Sequence, residues 1–416
     1  MSDNARCQVS RGPDASFGAR VKELRTRAGL SQQNLAATVK RSVSWVSQVE
    51  RGEHEITSVL VLQQLAAALA VPAGEFVAMV LGEGEEDVRD RPYVEVLRLA
   101  LAGHPVPEAL VGEPMPSMAA GGDLASLEAE TARAWAAVHG SKYQQLGPLL
   151  AKLIPRLERA TRTLAAEDRP RAFELLADVY QVASAMLMKV GDQGAGWIAA
   201  DRAIGTGERC GDRHLALAGQ YRMAHTLAGT DERVLALHVL RQAVRGASAV
   251  QQSDDPGLIS LVGACALLLA VLEAREGDRK SAEGHLRIAR SLARRLGEDR
   301  DDYGTEFGPT NVAVHAVAVA VELGNASDAI ALAGEVQIAR LSPERQARYL
   351  VDVARAHAQR RDLAAAVKAL EQAESIAPEE VHELGLVRAL VGDLEHFAGR
   401  RRVPGLKPIR QRLTHN

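Results

Sequence analysis

Apolar positions recur at helical spacing along most of the chain, which predicts an all-helical protein. Phe17, Val21 and Leu24 mark a first helix that stops near Gly29. Leu35 and Val39, then Val46 and Val49, mark two short helices joined by a tight turn. Ser31 and Ser42 stand just before these runs, where a hydroxyl accepts from the free N–H groups of a first turn. Val59, Leu62, Leu65, Ala66 and Leu69 mark a fourth helix, and Pro72, Phe76 and Val80 a fifth. Closing a small core with Leu35, Val39, Val46 and Val49 leaves Val43, Ser44, Trp45, Ser47 and Gln48 outside it as an exposed row.

Residues 82–122 break the pattern. GEGEEDVRDRP, from Gly82 to Pro92, is charged and glycine-rich, and Pro105, Pro107, Pro114 and Pro116 interrupt the following stretch, so a linker is expected with one bridging helix, Tyr93 to Ala102. From Leu124 the pattern changes to long amphipathic runs in pairs. Breaks fall near Gly140, Gly191, Gly229, Gly277, Gly324 and Arg361, at spacings of 51, 38, 48, 47 and 37 residues. Each pair is too thin to bury its own apolar stripe and must stack on its neighbours. The organisation expected is a flexible arm (1–15), a five-helix head (16–81), the linker (82–122), a repeat domain (123–398) and a solvated basic tail (399–416) with Arg400 to Arg402, Lys407, Arg410 and Arg412.

Composition supports an all-α chain, with aromatic residues at only 3% of its 416 positions and packing left to Ala and Leu. The net charge of -3 argues against a polyanion-binding surface over the whole molecule. Between Ser16 and Arg51, however, seven cations stand against two acids, so basic charge is concentrated in the head. Cys7, Cys210 and Cys265 form no CxxC pair and have no histidine at ligand spacing, which points to reduced thiols and no metal. Leu258 to Leu272 is apolar but short of the ~20 residues of a membrane span and reads as a buried helix. With no apolar leader near the start, a cytoplasmic protein with no membrane partner is expected. His382 and Glu383 lack the second histidine of a zinc-protease motif, and no Gly-x-Ser-x-Gly elbow occurs, so neither an enzyme nor a cofactor is expected.

The run Leu30, Ser31, Gln32, the Leu35–Ala36 pair, Ser42, Ser44, Val46, Ser47 and the exit Val49, Glu50, Arg51, Gly52 resemble the helix-turn-helix of the Cro and phage-repressor type, the xenobiotic-response-element family. Lys40 and Arg41 depart from the usual glycine and small apolar residue at the turn. The last repeat resembles a tetratricopeptide repeat: Tyr349 to Ala358, a turn at Arg361 and Asp362, Ala364 to Ala377, then Pro378. Trp197 to Ala203 (WIAADRA), Phe307 to Val312 (FGPTNV) and Glu322–Leu323–Gly324 extend the resemblance to regulators of high-GC Gram-positive bacteria that join this head to degenerate tetratricopeptide repeats. The chain is more distantly similar to peptide-sensing regulators.

The resemblance implies a sequence-specific, double-stranded-DNA-binding transcriptional regulator, an α-solenoid behind a five-helix head. Its helix from Ser42 to Glu50 would enter the major groove, with Ser44 and Gln48 exchanging hydrogen bonds with bases and Val43 or Trp45 touching a thymine methyl. Gln32, with Gln33 beside it, resembles the family glutamine that grips phosphate and braces the reading helix. Lys40, Arg41 and Arg51 are phosphate candidates, and Ser47 completes the interface. The repeats would dimerise and receive a peptide, a small molecule or a partner protein on the groove lined by the first helix of each pair. Asn311 opens one such helix, where its amide either holds a ligand backbone or simply caps the helix, and Tyr180, Arg222 and Arg348 are similarly placed. The alternative is a tetratricopeptide interaction scaffold that binds DNA only weakly and non-specifically.

Overall fold

The computed structural model describes residues 17–39, 41, 43–50, 65, 68–69, 91–103, 124–230, 233–245, 253–399 and 401–414, and they are all-helical apart from turns and a single isolated bridge, Arg300 to Phe307. The chain divides into two compact units, Met1–Asp87 and Val88–Asn416.

In the first unit, α1 (Phe17–Arg27), α2 (Gln32–Thr38) and α3 (Val43–Glu50) pack around Val21, Leu24, Leu35, Val39, Val46 and Val49, all at most 5% exposed. Leu65 and Leu69 are buried in the same cluster. Gly29 ends α1 in the left-handed conformation its sequence invites, and Ser31 caps α2 by accepting from the Asn34 N–H at 3.0 Å. The other residues expected in the fourth and fifth helices, Val59, Leu62, Ala66, Pro72, Phe76 and Val80, lie outside the described residues, as do the 1–15 arm and the Ser42 cap.

The second unit begins with α4 (Pro92–Ala102) and continues as helix pairs: α5 (Leu124–His139) with α6 (Tyr143–Thr163), α7 (Arg169–Lys189) with α8 (Gln193–Cys210), and α9 (Arg213–Ala228) with α10 (Arg233–Arg245). After these come α11 (Pro256–Arg275) with α12 (Arg279–Leu296), α13 (Pro309–Glu322) with α14 (Ala326–Ala333), and α15 (Pro343–Gln359) with α16 (Leu363–Ile376). The short α17 (Pro378–Glu383), α18 (Gly385–Ala398) and α19 (Leu406–Thr414) end the array. All six breaks read from the sequence fall between the two helices of a pair. At three of them the chemistry is the same: a left-handed residue (Gly191, Gly277 or Arg361) is followed by an aspartate that caps the second helix. Asp192, Asp278 and Asp362 accept from the N–H three residues on at 3.0–3.1 Å.

Helix α4 is no free bridge. Val94, Leu97 and Leu101 are buried against α6, and the two backbones approach so closely at Gly147 that a Cβ there would lie 2.1 Å from the Tyr93 carbonyl oxygen. The remainder of the expected linker, 82–90 and 104–122, lies outside the described residues. The expected solvated tail also differs: Leu406, Ile409 and Leu413 bury one face of α19, while Arg410 pairs with Glu395 and Arg412 with Glu374. Helix α11, the apolar run of the sequence, is long and apolar enough to cross a membrane, yet its window is 89% buried within the array.

The array closes on itself. Glu383 of α17 accepts from Arg91 and, at 2.9 Å, from the Tyr93 hydroxyl, and Glu380 accepts from the Tyr143 hydroxyl. Helix α5 also packs on α15. These contacts turn the open groove expected from stacked pairs into a lined cavity.

Candidate functional site

The exposed row of the first unit depends on one buried carboxylate. Glu50, at the end of α3, has a side chain only 3% exposed and accepts from Arg25 of α1 through Nε and Nη2 and from Gln32 Nε2 of α2 at 2.8 Å. Arg25 also donates to the Leu30 carbonyl at 2.8 Å, tying in the α1–α2 connection. Burial alone would raise the Glu50 pKa; the hydrogen bonds from Arg25 and Gln32, with the Arg25 charge, turn the shift downward and keep the group ionised. One acid thus fixes three helices.

With α3 so held, Val46 and Val49 face inward while Val43, Ser44 and Gln48 are exposed and Ser47 is half-buried. Trp45 is half-buried against the small core, and the Arg41 guanidinium lies 5.8 Å from its ring centroid. Gln33 and Arg41 are exposed. Lys40, Ser42 and Arg51 lie outside the described residues. Among the head residues expected to act, the structure brings Gln32 to Glu50 and sets Ser44 and Gln48 on one exposed face. Sequence reasoning missed Arg25 and gave Glu50 no role; the signal was an acid at the inner end of a helix otherwise flanked by cations.

In the second unit the cavity has a volume of about 200 Å³ and is lined chiefly by the first helices of the six pairs, α5, α7, α9, α11, α13 and α15. Apart from Arg222, the arginines and the lysine of its lining are paired with carboxylates. Glu344 takes Lys189, Arg345 Nε lies 3.3 Å from Glu306, and Glu322 bridges Arg275 and Arg355 at 3.1 Å each. His225 and His315 are pushed down by burial and by nearby guanidinium groups, His315 to about 4, so both imidazoles are neutral near pH 7.

Of the four residues expected to meet a ligand, Arg222 and Arg348 line this cavity. Arg348 is partly exposed and 3.9 Å from Glu380. Tyr180 is buried and does not line it; its hydroxyl donates to Glu158 at 2.6 Å beside a different surface groove. Asn311 neither lines the cavity nor caps α13, whose cap position is Gly308; its Nδ2 donates to the Glu306 carbonyl at 2.9 Å and steadies the preceding loop. Both departures have one cause, since helical spacing fixes a side chain's face and not the neighbour that the stacked pair brings to it.

Residues 16–78 match the family model described as a helix-turn-helix domain. No curated protein matches the chain. Among solved structures, Bacillus thuringiensis PlcR in complex with the peptide PapR7 and DNA is similar at 15% identity, covering 68% of this chain and 96% of that one, with a TM-score of 0.27, a likeness too low to carry an argument. The chain carries a helix-turn-helix domain at its amino-terminal end, followed by an all-helical array of stacked pairs.

Proposed function

We propose that the protein is a sequence-specific transcriptional regulator whose head reads a short operator in duplex DNA and whose repeat domain dimerises and responds to an effector. The observation that carries this reading is the exposed face of α3, with Ser44 and Gln48 free of the core that holds Val46 and Val49, on a helix locked by Glu50. Ser44 and Gln48 present donors and acceptors suited to base edges, Val43 and Trp45 can touch a thymine methyl, and Gln32, Gln33, Ser47 and Arg41, with Lys40, Ser42 and Arg51, serve the backbone and flanks. One module of this size makes few contacts, so two copies on half-sites about one DNA turn apart supply the affinity an operator needs. The effector acts by shifting the population of conformers in which both heads fit those half-sites. Such a protein works in the cytoplasm without a catalytic step.

An interaction scaffold is favoured by a different observation: Trp197 and Ile198 on α8 and Val234 and Leu235 on α10 are 46% to 77% exposed. A gel shift of the full chain with genomic fragments at rising salt separates the two readings. A few fragments held tightly above the background support the regulator. Equal, salt-sensitive binding of every fragment supports the scaffold.

A further inference from the structure

The cations that line the cavity of the second unit have carboxylates within 3.9 Å, with one exception. Arg222, on α9, is 7% exposed, and among the described residues no carboxylate reaches it. Its Nη2 donates to the backbone carbonyls of Tyr303 at 3.0 Å and Gly304 at 2.8 Å, and its guanidinium carbon lies 5.3 Å from the Trp135 ring centroid. Its Nε is buried with no acceptor. On the neighbouring first helix α7, Ser184 is 1% exposed and its hydroxyl is also unpartnered; both residues line the cavity.

A guanidinium remains charged throughout the accessible pH range, and burying it with no carboxylate in contact is costly. A fold made only for stability has no use for that cost, whereas a site that receives an anion does. Besides the paired charges, the wall has an apolar part that includes Trp135, Met188, Leu268 and Val314. Trp135 is seated against Gly304, where a Cβ would lie 2.0 Å from the indole, and Gly304 has φ +64°, a conformation that also favours glycine. At about 200 Å³ the space suits a small molecule better than a peptide of several residues, since clefts for drug-sized ligands run to ~300–1,000 Å³.

We infer that this cavity binds a small organic acid, its carboxylate accepting from Arg222 Nε and Ser184 Oγ and its apolar body lying among Trp135, Met188 and Leu268. The acid would be the effector of the reading above, on which this inference rests. The competing role for Arg222 is that of a strut: its two carbonyl contacts hold the 299–308 loop, which carries left-handed Tyr303 and Glu306.

The test uses the full chain, calorimetric titration and tryptophan fluorescence, with sodium butyrate, hexanoate and octanoate as probes, 1-hexanol as the neutral match and inorganic phosphate as the bare anion. Saturable binding of one carboxylate at least tenfold tighter than the alcohol is expected. Ser184→Ala, which removes no existing hydrogen bond, should weaken it several-fold without changing the melting midpoint, and Arg222→Gln should abolish it. If Arg222→Gln fails to fold, Ser184→Ala carries the decision. Equal affinity for acid and alcohol, binding of phosphate alone, no saturable binding by any carboxylate, or full binding by Ser184→Ala overturns the inference. A gel shift alongside keeps the two readings apart. Operator binding with no acid binding overturns the cavity assignment and spares the regulator, and acid binding that leaves operator affinity unchanged overturns the effector role.

Discussion

Replacing Glu50 with alanine should unlock the head. The carboxylate is 3% exposed and serves two donors of Arg25 and one of Gln32, while Arg25 itself is 13% exposed. Removing one partner of a buried ion pair costs about 3–5 kcal/mol, chiefly because the other charge is left without compensation. Arg25 retains its bond to the Leu30 carbonyl and some solvent, so the lower end, about 3 kcal/mol, applies. For a domain of this size each kcal/mol moves the midpoint by about 4–8 °C, so the head should melt roughly 12–24 °C lower. The chain has three tryptophans, and 5-fluorotryptophan labelling with ¹⁹F NMR during heating follows Trp45 separately from Trp135 and Trp197. Only the Trp45 signal should shift its transition. Arg25→Met combined with Glu50→Leu should regain most of the loss, since an apolar pair of similar volume leaves no orphaned charge. A loss under about 1 kcal/mol, or simple additivity of Arg25→Ala and Glu50→Ala, would refute the clamp.

Because the Glu50 pKa is lowered in the folded head, its contribution is complete above the unfolded value near ~4.3 and is lost as pH falls through the folded value, so the Trp45 transition should weaken with acid more steeply in wild type than in Glu50→Gln. Gln48→Ala and Ser44→Ala should relax base preference by about 1–3 kcal/mol at the positions they touch, read by binding-site selection, whereas Arg41→Ala should weaken all sequences alike and flatten the salt slope. Gly147→Ala should drive α4 off α6, because no Cβ fits 2.1 Å from the Tyr93 carbonyl oxygen, and limited proteolysis should then cut within Pro92–Ala102. Cys265, pushed up to about 12 by burial in α11, should resist iodoacetamide at pH 8 until the array unfolds; alkylation in the native state would contradict that burial.

Local periodicity, caps and left-handed turns, which neighbouring residues specify without help, suffice to read most of the described helices, the six breaks between paired helices and the exposed positions Val43, Ser44 and Gln48 of α3, but not the half-burial of Trp45 and Ser47. The Gly191–Asp192 and Gly277–Asp278 turns are legible for that reason. It took the packing of distant helices to place α4 in the array, set α19 over its end, join Arg25 to Gln32 through Glu50, bury Arg222 with no carboxylate in contact, and turn Tyr180 and Asn311 to other partners. Each of these depends on which surfaces meet across tens to hundreds of residues, as Glu383 meets Arg91. Helical spacing gives a side chain its face, and the meeting of faces gives it a partner.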